Sequence, residues 1–141
     1  MSSRAQPLLP AVDQARQRSE DALAQMATHQ QRLAKAEQQL LELRRYRLEY
    51  AAGGEGPLSV SALLNRQSFV DRIDQAIVQQ TAEISRLQRQ FEQVRAHWHH
   101  AHARESALGS VVDRYVEEER RAADRHEQAE MDERMQYRRT R

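Results

Sequence analysis

From Ala11 to Ala52 no glycine or proline interrupts the chain, and small or apolar residues recur at alternating spacings of three and four. Val12, Ser19, Met26, Leu33, Leu40 and Arg47 take one seam position of a heptad repeat, and Ala15, Ala22, His29, Ala36, Leu43 and Tyr50 take the other. This 3.5-residue period predicts a helix that buries one stripe against a partner helix. Pro10 suits its first residue, because the missing N–H would be unpaired there in any case. The stretch AAGGEGPLS then stops it, with two adjacent glycines free to take positive φ, a third further on, and a proline that cannot continue a helix.

A second and cleaner repeat follows. Leu63, Val70, Ile77, Ile84, Phe91, Trp98, Glu105 and Val112 form one series, and Ile73, Gln80, Leu87, Val94, Ala101, Leu108 and Tyr115 the other. Ser59 or Ser61 can cap this helix. Gly109 is its only breaker, and a single glycine costs only about 1 kcal/mol in a helix interior. The expected elements are helix 1 over residues 10–52, a turn over 53–60 and helix 2 over 61–135. Two heptad helices joined by so short a turn fold back on each other to bury their stripes. The fold class is therefore all-α, a long two-helix antiparallel coiled-coil hairpin in one domain spanning residues 1–141, with the second helix longer than the first.

A fold-back centred between Gly56 and Pro57 sets Ala15 opposite Trp98, Ala22 opposite Phe91, Met26 opposite Leu87 and Ala36 opposite Ile77. Small residues of helix 1 then meet large ones of helix 2, which keeps the interhelical distance even. In that register Pro10 reaches to about residue 103, and about 30 residues, or roughly 45 Å of helix, overhang without a partner. Val112, Tyr115 and Ala122 are all that remains of the seam there. Glu117 with Arg121 and Glu130 with Arg134 are i,i+4 pairs suited to an exposed helix.

Composition agrees with long helices: 86 of 141 residues are Ala, Glu, Lys, Leu, Arg or Gln, against 5% aromatic. With 22 basic and 21 acidic residues the net charge is +1, which gives no electrostatic footprint for nucleic acid. There is no cysteine, and hence no disulfide or thiolate metal site. No apolar run approaches the roughly 20 residues that span a bilayer, and MSSRAQPLLP lacks the apolar stretch of a signal peptide. The expected location is cytoplasmic.

Candidate chemistry is sparse. HWHHAH (97–102) places His97 with His100 and His99 with His102 at i,i+3, but nothing nearby completes a closed metal site, and polar surface around a core tryptophan is the simpler reading. His29 reads as a polar seam residue that sets register. GGEGP lacks the Lys-Ser/Thr of a phosphate loop, and neither GxSxG nor HExxH occurs. No enzyme, metal or cofactor is expected. Near the turn the apolar surface is wider than a two-position seam requires. Gln39, Leu43, Tyr46 and Tyr50 form a stripe at spacings of four, three and four, as do Phe69, Ile73, Ala76 and Gln80. Each shares members with the seam and then slides off it, which leaves Tyr46 and Phe69 partly exposed. An apolar body with a polar tip suits an interface, although the same residues also suit the capping of a splayed hairpin end.

AEQQLLELRRYRLEY (36–50), the glycine-rich turn, NRQSFVDRIDQAIVQQ (65–80), a Trp about 18 residues on and a polar C-terminal helix with EMDE (130–133) together resemble the flagellar FliJ family over nearly the whole chain. The resemblance implies a non-enzymatic component of the flagellar type III export apparatus, needed for flagellum assembly and motility, shaped like the central stalk coiled coil of rotary ATPases. It implies a rod whose terminal part inserts into the hexameric export ATPase. The other end would contact the cytoplasmic linker of the membrane export gate protein, at the cytoplasmic side of the cell membrane. It also implies escort of export chaperones. The gate-binding positions carry over to Gln39, Leu43, Tyr46, Tyr50, Phe69, Ile73, Ala76 and Gln80; Gln80 stands where a histidine can occur, and the turn is shorter than in some members. The stalk protein of a virulence-type secretion system, a homodimeric coiled-coil scaffold and a nucleic-acid-binding arm are the alternative readings.

Overall fold

The computed structural model describes residues 3–53, 56 and 59–140. A short 3-10 turn, Gln6–Leu8, leads into α1 (Leu9–Ala52), and α2 runs from Val60 to Thr140, so the chain is a helical hairpin with a longer second helix. Gly53 ends α1 with φ 72° and Gly56 has φ 106°. This is the left-handed conformation that closes helices and that glycine adopts without steric cost. Gly54 and Pro57, also assigned to the turn, lie outside the described residues. Ser59 caps α2: its Oγ accepts from the Ala62 N–H at 3.1 Å and its carbonyl from Leu63 N–H at 3.0 Å.

The heptad seams hold along both helices. On α1 every seam residue from Val12 to Arg47 is buried or half-buried, and on α2 every one from Val70 to Tyr115. The most buried positions are Ala15, Ser19, Ala22 and Ala36 on α1 and Val70, Ile73, Ile84 and Leu87 on α2. Among them Ala36 sets a small side chain against branched ones on the other helix, Ile84 and Leu87.

The chain divides into two compact units. In the unit formed by Ala22–His97, Ala36 packs with Ile84 and Leu87, flanked by Leu33 and Leu40. The residue numbers of facing partners add to 119 for Tyr50 with Phe69 and for Gln39 with Gln80, and to 121 for Arg47 with Asp74. The sequence-based register, with a sum of about 113 and Ala36 opposite Ile77, is corrected by about one heptad. A slip of seven leaves every seam residue in the seam, so apolar periodicity alone does not separate the two registers. Polar and aromatic partners do. The slip also sets Gly53 beside Arg66, so α2 completes about one and a half turns before α1 comes alongside. Leu63, expected in the seam, is exposed for that reason, and Tyr50, also expected there, is exposed although it faces Phe69.

The second unit consists of Met1–Asp21 and Trp98–Arg141. Residues 3–8 fold along α2: Ser3 Oγ donates to both carboxylate oxygens of Glu119 at 3.0 and 3.1 Å, and the Arg4 N–H donates to Oε1 at 2.8 Å. The Arg4 guanidinium lies 6.0 Å from the Tyr115 ring centre, and Ala5 is buried. Val112 and Tyr115 are consequently half-buried, and the fully exposed stretch is residues 120–140, shorter than the 30-residue overhang expected from the sequence. Two causes add: the register slip, and an N-terminal segment that continues the packing beyond Pro10. Glu117 accepts from Arg121 at 3.3 Å, as its spacing implies, and also from Arg120; Glu130 pairs with His126 at 3.1 Å.

Candidate functional site

The two stripes near the turn belong to the Ala22–His97 unit, and the fold brings their ends together. At one end, Gln80 Nε2 donates to the Ala36 carbonyl at 2.9 Å and to Gln39 Oε1 at 3.2 Å. At the other, the Tyr50 and Phe69 rings meet with centroids 4.6 Å apart and planes tilted by 41°. That geometry suits the quadrupoles of an aromatic pair. The rings remain accessible, with Tyr50 44%, Phe69 43% and Tyr46 52% exposed.

Not every stripe residue is available to a partner. Ile73 is only 7% exposed and belongs to the core, while Leu43, Ala76 and Gln80 are half-buried. Ile73 lies one helical turn from both Phe69 and Ala76 along α2, buried where Phe69 is exposed. Between the two ends Arg47 forms an ion pair with Asp74, and that hydrogen bond strengthens the guanidinium's hold on its proton. Arg47 sits at a seam position and is half-buried there.

Around the turn Leu48, Val60, Leu63 and Leu64 are also exposed. Leu63 was assigned to the seam by its spacing, and the others carry no periodic signal. Exposed aliphatic residues beside exposed aromatic ones form the surface composition expected of a protein contact.

The histidine run has a different character. Trp98 stacks on His102 with centroids 5.2 Å apart and planes 16° from parallel, and lies 4.8 Å from His99. Among the described residues no three His, Asp or Glu side chains gather in a group that could hold a metal ion. Among the same residues no helix is long and apolar enough to cross a membrane.

A long two-helix hairpin with heptad seams and an exposed aromatic pair next to its turn defines the class: an all-α coiled-coil hairpin protein. Residues 4–141 match the family model described as flagellar FliJ protein, and the chain belongs to that family. Membership makes it a component of the flagellar protein-export apparatus. No curated protein and no solved structure matches the chain.

Proposed function

We propose that this chain couples the hexameric flagellar export ATPase to the membrane export gate, by contact alone and without a catalytic step or cofactor of its own. The gate's cytoplasmic linker region is taken up by Gln39, Leu43, Tyr46, Tyr50, Phe69, Ala76 and Gln80, with Ile73 supporting them from the core. The observation that carries the reading is the exposed Tyr50–Phe69 pair beside exposed Tyr46. Large amphipathic side chains that the fold leaves uncovered are typical anchors of protein interfaces. The exposed helical stretch 120–140, with no seam left to bury, suits insertion into a ring that surrounds it. Export chaperones are a third class of partner, and the work is done at the cytoplasmic face of the cell membrane at the flagellar basal body.

The test is a titration of the full chain against the export ATPase and, separately, the cytoplasmic part of the gate protein from the same organism. Tyr46→Ala with Phe69→Ala is expected to keep helicity and ATPase binding while losing gate binding. Undiminished gate affinity in that variant would overturn the assignment of the stripe.

A further inference from the structure

Where the stripe ends, at Gln39 and Gln80, an open groove of about 550 Å³ begins between α1 and α2. Its floor includes the buried Ala36 and Leu87. Three cations border it, Arg32, Lys35 and Arg86, against one carboxylate, Glu83. That carboxylate is already engaged: Arg86 Nε donates to it at 2.8 Å, and the bond holds Glu83 below its ordinary range. Arg32 and Lys35 have neither an ion pair nor a hydrogen bond among the described residues. His29, also at the groove, has a buried Nδ1 with no hydrogen-bond partner.

A recess lined by cations whose only internal counter-charge is spent is complementary to carboxylates from outside. Arg32 and Lys35 are i,i+3 neighbours on α1, with Cβ atoms about 5–6 Å apart. Carboxylates one helical turn apart, or two residues apart in an extended segment, match that separation. The amide groups of Gln39, Gln80 and Gln90 along the walls suit a peptide backbone. A phosphodiester strand is a poorer fit, because the chain as a whole carries a net charge of only +1.

We propose that this groove docks an acidic segment of the protein partner that meets the aromatic stripe, with carboxylates against Arg32 and Lys35. The inference rests on the reading of the stripe as the gate-binding surface and adds the chemistry of the partner: apolar residues for Tyr50 and Phe69, followed by acidic ones for the groove. The apolar end supplies affinity, and the charged end fixes the direction in which the segment lies.

The experiment titrates the cytoplasmic part of the gate protein into four full-length proteins over a range of salt concentrations. They are the wild type, Arg32→Glu/Lys35→Glu, Tyr46→Ala/Phe69→Ala, and a control with exposed charges reversed outside the groove, Arg89→Glu/Arg95→Glu. Circular dichroism melts establish that all four fold alike. The groove variant is expected to bind about tenfold more weakly with a flatter salt dependence, while the control changes less than about twofold. Loss of binding in the stripe variant with none in the groove variant overturns the groove and leaves the stripe standing. Full binding in the stripe variant overturns both. A single-stranded oligonucleotide that binds the wild type and not the groove variant assigns the groove to nucleic acid, and also overturns the proposal.

Discussion

Gln80, at a seam position of α2, donates its amide hydrogens to the Ala36 carbonyl on α1 at 2.9 Å and to Gln39 at 3.2 Å. A polar residue in a mostly apolar seam costs stability, and Gln39 stands opposite it in only one alignment, so it selects among registers that the apolar repeat leaves equivalent. Gln80→Leu is expected to raise the melting temperature while weakening that selection. Spin labels on the exposed positions Gln38 and Ala82 would give one narrow distance in the wild type and a broader or second distribution in the variant.

Two glycines predict opposite signs for the same substitution. Gly53 has φ 72°, and an added Cβ would lie 2.6 Å from Arg66 Nη1. The arginine end can swing away, but the left-handed backbone remains, so Gly53→Ala should destabilise by about 1–2 kcal/mol. Gly109 lies within α2 with nothing within 4 Å of an added Cβ. Gly109→Ala should stabilise by about 0.5–1 kcal/mol. Urea unfolding of the two variants would show midpoints displaced in opposite directions.

These residues also mark how far the sequence could be read. Periodicity identified both seams, because a stripe every 3.5 residues has no other stable use in a chain with so few breakers. It fixed the register only to within one heptad, since what distinguishes 113 from 119–121 is Gln80, the Arg47–Asp74 pair and the Tyr50–Phe69 contact, none of which has a period. The N-terminal strap was invisible for a related reason: Ser3 and Glu119 are 116 positions apart, and residues 3–8 follow no repeat. The aromatic stripe was legible from spacing alone, apart from the burial of Ile73. The groove was not, because it depends on which cations still lack partners once Glu83 has found Arg86.

Glu117 accepts hydrogen bonds from Arg120 at 2.7 and 3.1 Å and from Arg121 at 3.3 Å. The Arg120 hydrogen bond is the main reason that its carboxyl is held below the ordinary value of 4.5. A carboxyl lowered in the folded state contributes stability above its unfolded value, and that contribution is lost as pH falls through the lowered one. A carboxyl-carbon NMR titration should place the Glu117 midpoint below 4.5, closer to it in high salt, because the group is exposed to screening. Arg120→Ala should move the midpoint upward; a midpoint indifferent to both changes would mean that the bonds are not populated in solution.

The strap yields the sharpest local prediction, because one carboxylate holds it. Glu119 accepts from Ser3 Oγ and from the Arg4 N–H, while Ser3 Oγ also accepts from the Gln6 N–H at 3.3 Å, starting the 3-10 turn over which Ala5 is buried. Hydrogen bonds to a charged acceptor are worth about 1.5–3 kcal/mol, less where water competes. In Glu119→Ala the strap should detach as a unit, which would extend the unpartnered part of α2 back toward Val112 and Tyr115. Hydrogen exchange should then accelerate about tenfold or more at the Arg4, Gln6 and Leu8 amides, with the amides near Ile84 and Leu87 unchanged. Ser3→Ala leaves the Arg4 bond in place and should give an intermediate rate. Equal protection in all three proteins would show that the burial of Ala5, and not Glu119, holds the segment.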